Sequence, residues 1–155
     1  MTIILFKFEK EIINFLECKI NNCDFTIAKK EKISLSACKT RGQKYDQILT
    51  SLNQIKKDIS STHFAYQSPQ KYRGAIKDEE SFANTSILHL FCEQNNVDLL
   101  ELTPPSVRDK LSIPNKDFKL LLEKEKKDIV DKHPITKSDK LIDGLTLLSL
   151  LKCHD

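Results

Sequence analysis

Asp139 and Asp143 stand four residues apart in the last apolar segment of a 155-residue chain. On a helix that spacing puts both carboxylates on one face. Paired carboxylates can hold a hard divalent cation such as Mg²⁺ and so prepare a water for attack on phosphorus. Glu9, Glu11 and Asp24 are the acidic residues of the N-terminal region able to join them. Asp139 has a second explanation, since a carboxylate in the first turn of a helix is favoured by the helix dipole. Asp143 is set between Ile142 and Leu145 on a mostly apolar segment, where a charge needs a reason.

A second chemistry is suggested between residues 68 and 78, where Lys71, Arg73 and Lys77 surround Tyr72 beside Pro69 and Gly74. Cations in a loop can neutralise phosphates, and a tyrosine ring can stack on a base. A solvated loop with Tyr72 folded back on the protein accounts for the same residues. The charge is polarised along the chain: residues 1–77 carry 14 Lys and Arg against 7 Asp and Glu, and residues 78–155 carry 11 against 15. A basic half is compatible with a DNA or RNA partner and is equally compatible with an ordinary solvated surface.

The remaining reactive side chains form no recognisable set. Cys18, Cys23, Cys38, Cys92 and Cys153 are odd in number and scattered, which predicts free and mostly buried thiols. No CxxC or HxxxH spacing completes a zinc site. Cys92 is expected on the apolar side of a helix, and His63, His89 and His154 have no fixed relation to one another. With three glycines the chain has no phosphate-cradling loop, nucleophile elbow or HExxH motif, so no small-molecule cofactor is expected.

These side chains depend on elements that the hydropathy pattern defines. Thr2 to Phe8 and Glu11 to Lys19 are β-rich, joined at Glu9-Lys10, and Asn21-Asn22 marks a turn. Phe25 to Ile27 and Ile33 to Ala37 alternate apolar with polar residues, completing a three-stranded meander. From Gln43 to Ile59 the period becomes helical, with Tyr45, Ile48, Leu49, Leu52, Ile55 and Ile59 on one face. His63 to Gln67 reads as a buried strand, and Glu79 to Gln94 as a helix with Ala83, Ile87, Leu90 and Phe91 inward. Val97 to Leu102 is a further strand. Thr103 is expected to cap a short helix opening on Pro104 and Pro105. A longer helix runs from Lys116 to Lys132 and is broken by Pro134. Ser138 is expected to cap the last helix, which carries Leu141, Ile142, Leu145, Leu148 and Leu151.

The pattern β-β-β-α-β-α-β-α-α-α predicts an α/β protein: a mixed sheet of about five strands with helices on both faces, as one domain over residues 1–155. A 39% hydrophobic, 30% charged composition excludes collagen-like and disordered classes. No run approaches the roughly 18 apolar residues of a membrane span. Met1 to Lys7 lacks the basic region and cleavage site of a signal peptide, so the cytoplasm is the expected compartment. The leucines from Leu147 to Leu151 are free to cover the sheet or to pair two copies as a homodimer.

Three segments carry a family likeness. His63-Phe-Ala-Tyr-Gln67 leads into the basic, glycine-containing loop. Leu99 to Leu111 joins a strand to Thr103-Pro-Pro105 and a short Lys-containing helix. Ser138 to His154 is an apolar helix studded with Asp and ending in His. Together with the element order they resemble the RuvC-type Holliday-junction resolvases of the ribonuclease H-like fold. The resemblance implies that order of elements, a DNA partner and phosphodiester cleavage by four carboxylates around two divalent metals about 4 Å apart.

Matched position by position, the resemblance puts Lys7 where the family has its first-strand Asp, and Gln67 where it has its fourth-strand Glu. Lys140 falls on the first Asp of the terminal helix and Asp143 on the second. The resemblance thus implies a catalytically degenerate, nucleic-acid- or protein-binding domain. The alternative is a Mg²⁺-dependent, structure-selective nuclease whose rearranged carboxylates are Glu9, Asp139 and Asp143. Either reading requires Lys7, Gln67 and Asp143 to meet at the carboxyl end of the sheet.

Overall fold

The computed structural model describes residues 1–59, 63–69, 71–72, 75–76 and 78–154, with backbone alone at 71, 72, 75, 76 and 154. Strands β1 (Thr2–Phe8), β2 (Ile12–Asn21) and β3 (Asp24–Ser34) form the meander, followed by helix α1 (Arg41–Asp58). After β4 (His63–Gln67) comes a small hairpin, β5 (Lys71–Tyr72) and β6 (Ala75–Ile76), in what reads from sequence as loop. Helix α2 (Glu79–Asn95), strand β7 (Asp98–Leu102), and helices α3 (Pro104–Leu111), α4 (Asn115–Lys132) and α5 (Ile142–His154) complete the order.

The main sheet has the order β3-β2-β1-β4-β7. β1 pairs antiparallel with β2 and parallel with β4, and β4 pairs parallel with β7. β1 is therefore central and must be apolar on both faces. Its alternation divides the core: Ile3 and Leu5 face the side covered by α3, α4 and α5, while Ile4, Phe6 and Phe8 face α1 and α2. β4 continues the division, with Ala65 on the first side and Phe64 and Tyr66 on the second. The outer strand β3 is Lys-rich and exposed over most of its length.

Capping chemistry explains where most helices start. Thr40 and Gln43 form a reciprocal capping box that begins α1 at Arg41, and Asp78 accepts from the Ser81 N–H to begin α2. Thr103 and Ser106 make the same box ahead of Pro104 and Pro105, as the sequence leads one to expect.

Three expectations are corrected. β3 is one strand from Asp24 to Ser34, and Ser36 and Ala37 lie outside it. On α2 the inward face is Ser81, Asn84, Thr85, Leu88, Phe91 and Cys92, while Leu90 is 49% exposed. Ser138 does not cap the last helix, because α5 begins only at Ile142 and Ser138 belongs to the turn before it.

Leu147, Leu148, Leu150 and Leu151 are buried within the core that covers the sheet, so they offer no surface for pairing two copies. Among the described residues, no helix is long and apolar enough to cross a membrane.

Candidate functional site

Parallel pairing brings the carboxyl ends of β1 and β4 together, and the register places Lys7 opposite Gln67. Lys7 continues the Ile3, Leu5 alternation and Gln67 continues from Ala65, so both side chains stand on the α5 face. Helix α5 crosses that face closely. A Cβ on Gly144 would lie 3.3 Å from Leu5 Cδ1 and 3.5 Å from Gln67 Cβ, so a methyl there would press on the Leu5 side chain and anything larger would meet the strands. Asp143, one residue earlier, is thereby held beside the strand ends. Gly144→Val is expected to lift α5 and destabilise the protein by about 1–3 kcal/mol, read by urea unfolding. A change within experimental error would show that this close approach matters little.

The electrostatics centre on Lys7. Burial pulls its ammonium below the usual lysine range and Lys140 acts in the same sense, while Asp143 and Glu9 act against them. Asp143 is half exposed and accepts a 2.7 Å hydrogen bond from Lys126 Nζ of α4. Glu9 accepts 3.0 Å from Asn14 Nδ2 and faces Lys140 Nζ at 3.4 Å. Gln67 is 6% exposed, and its Oε1 has no hydrogen-bond partner among the described residues. Gln67, Asp143, Lys126, Glu123 and Thr146 line a cavity of about 140 Å³ between the strand ends, α4 and α5.

Asp139 is elsewhere. Since α5 starts at Ile142, Asp139 precedes the helix and shares no helical face with Asp143. Its carboxylate pairs with Lys30 of β3 and accepts from the Leu141 N–H at 2.9 Å, which makes it a clamp on the turn that feeds α5. Arg73 and Lys77 lie outside the described residues, as do the side chains of Lys71 and Tyr72; the β5–β6 hairpin carrying the latter pair follows directly on Gln67. Lys126 was not singled out in the sequence, because nothing local ties a residue of α4 to one of α5 17 positions later.

The cysteine expectation needs adjusting. All five thiols are free, but only Cys18 and Cys92 are buried. Burial pushes both up to about 12, which leaves them protonated and unreactive near neutral pH. His63 pairs with Asp98 and His89 with Tyr66, so the two histidines serve different contacts. Among the described residues, no group of three or more His, Cys, Asp or Glu side chains is placed to hold a metal ion.

Comparison with solved structures decides the fold. Thermus thermophilus RuvC superposes with a TM-score of 0.69 at 10% identity, over 97% of this chain and 92% of that one. The chain has the RuvC-type, ribonuclease H-like fold. The same enzyme solved with a Holliday junction substrate gives a TM-score of 0.67 with the same coverage and identity. The yeast mitochondrial Holliday junction resolvase follows at 0.62 and 11% identity, over 97% of this chain and 78% of that one. Fowlpox virus resolvase, in its complex with junction DNA, gives 0.54 at 12% identity over 97% of both chains. No protein-family model matches the sequence, and no curated protein matches it. Lys7, Gln67 and Asp143 lie together at the carboxyl ends of β1 and β4, beside the first turn of α5.

Proposed function

We propose that this domain binds nucleic acid, DNA or RNA, and does not cleave it by the two-metal route of the RuvC-type resolvases. The observation that carries the reading is the half-buried Lys7 ammonium at the carboxyl end of β1, opposite Gln67 and flanked by Asp143 and Glu9. Two divalent cations need several oxygen ligands and tolerate no ammonium among them. The donor set does not fit that pair: the two nearby carboxylates already answer lysines, Asp143 to Lys126 and Glu9 to Lys140. Binding is supported by the basic first half of the chain and by Lys71, Tyr72, Arg73 and Lys77 following Gln67. A protein partner on the same crevice is the other outcome of the test. Residues 1–155 act as one domain in this reading, in the cytoplasm.

The test is anisotropy of labelled four-way junction, duplex and single-stranded DNA across a salt series, followed by incubation with Mg²⁺ or Mn²⁺. The expected result is binding that weakens linearly in log salt, with intact DNA. Neutralising Lys71, Arg73 and Lys77 together is expected to reduce the slope by up to about 3, close to one per lost phosphate contact. Absent or salt-insensitive association would overturn the nucleic-acid reading in favour of a protein partner. Metal-dependent cleavage that is lost in Asp143→Asn would establish the nuclease alternative with rearranged carboxylates.

A further inference from the structure

At the other end of α5 from Asp143, the turn between β2 and β3 meets the last turn of that helix. Cys23 and Cys153, separated by 130 positions in sequence, contact one another there in a reciprocal way. Cys153 Sγ donates to the Cys23 carbonyl at 3.2 Å, and Cys23 Sγ is directed at the Cys153 carbonyl at 3.8 Å. The exposure of the two differs: Cys23 is at the surface and Cys153 is partly covered. A hollow of about 230 Å³ opens beside them, bounded by Phe25, Asp128, His133 and Ser149 as well as by both cysteines. Burial and the neighbouring Cys23 thiol hold Cys153 above the usual thiol range. Cys18 is buried and lines a small pocket with both of them, while Cys38 and Cys92 lie outside it.

We propose that Cys23 and Cys153 form an oxidation site that accepts small-molecule disulfides of the glutathione class and closes to an intramolecular disulfide. The sequence of bonds follows from exposure. The Cys23 thiolate attacks one sulfur of the small disulfide, forming a mixed disulfide and releasing the first small thiolate. The Cys153 thiolate then attacks Cys23 Sγ, forming the protein disulfide and breaking the mixed one, with release of the second small thiolate. Two protein thiols lose two protons and two electrons. One small disulfide gains both electrons and, with the two protons, becomes two small thiols. The product ties α5 to the meander through a loop of most of the chain, constraining the unfolded state strongly. Asp143 stands at the opposite end of α5, so the bond anchors the helix that carries it.

Intact-mass and peptide mapping of the whole chain, after equilibration with oxidised glutathione under non-denaturing conditions, tests the assignment. The expected result is loss of two hydrogen atoms, one crosslinked peptide pair containing Cys23 and Cys153, and a higher thermal midpoint than the reduced chain shows. Cys38→Ser should behave in the same way. Cys153→Ser should instead accumulate the mixed disulfide on Cys23, since the resolving thiol is gone. Stable glutathione adducts on the unsubstituted chain, or a crosslink to Cys38 or to a second copy, would overturn the proposal. None of these outcomes depends on nucleic-acid binding, so the function proposed above stands or falls separately.

Discussion

Lys7→Asp combined with Gln67→Glu is expected to produce a protein whose thermal midpoint rises by about 5–10 °C in millimolar Mn²⁺. The unsubstituted chain is expected to show no such rise. The two positions are direct register partners at the strand ends, and Asp143 is held beside them by the close packing of Gly144 on Leu5 and Gln67. Together the substitutions and Asp143 supply three carboxylates in one crevice, with Glu9 next to them. A ligand bound only by the folded state stabilises by RT ln(1 + [L]/Kd), about 2.7 kcal/mol at a hundredfold excess over Kd. For a chain of this size each kcal/mol is worth roughly 2–4 °C. Without metal, the clustered carboxylates repel one another, so the variant should melt below the parent chain. The informative quantity is thus the shift with and without Mn²⁺ within the same variant. A Mn²⁺-induced shift in the unsubstituted chain would contradict the reading of Lys7 as a resident cation. Absence of a shift in the double variant would show that the crevice geometry cannot hold a metal at all.

Phe6→Ala is expected to destabilise the domain by about 3–5 kcal/mol, and a loss below 1 kcal/mol in urea unfolding would contradict the packing described. Phe6 is fully buried on the central strand. Its ring centroid lies 5.2 Å from that of Phe64 in an edge-on arrangement, 5.9 Å from Phe15 and 6.2 Å from Phe8. Truncation removes the ring and leaves a cavity that strands on either side cannot fill, because their backbones are fixed by ladder hydrogen bonds. Small domains hold only about 5–15 kcal/mol in total, so this one change uses a large part of it. Leu120→Ala serves as the contrast: Leu120 is 66% exposed, and its loss should stay within about 0.5 kcal/mol.

Most of the elements were legible in the sequence because alternation and helical period are local signals. Ile3, Ile4, Leu5 and Phe6 announce a strand buried on both faces, and Ile48, Leu52 and Ile55 announce the inner face of α1. The inner face of α2 was legible only in part: Phe91 and Cys92 fall on it as expected, but Ser81, Asn84 and Thr85 share it while Phe82 and Leu90 point outward. Two of those polar groups bond locally, Thr85 to the Phe82 carbonyl and Ser81 to Asp78, so burial costs them little, whereas the buried Asn84 Nδ2 has no hydrogen-bond partner among the described residues. At the site, strand alternation already puts Lys7 and Gln67 on one side of their strands. Their pairing, however, is a register between strands about 60 residues apart, which no local pattern encodes. Asp139 misled because its carboxylate closes a turn ahead of α5, a competing use that sequence spacing does not reveal.

The leucines of α5 impose an order on the chain's birth. Ile142, Leu145, Leu147, Leu148, Leu150 and Leu151 cover the face of the sheet formed by Ile3, Leu5, Leu16 and Ala65, yet they leave the ribosome after all five strands of that sheet. At 5–20 residues per second, the interval between completing β7 and completing α5 is roughly 3–10 s. Through that interval this sheet face lacks α5, the helix that covers most of it, while the opposite face already has α1 and α2 available. The nascent domain is most vulnerable to association in this window. A chain stalled before Leu141 should engage chaperones far longer than one stalled beyond His154.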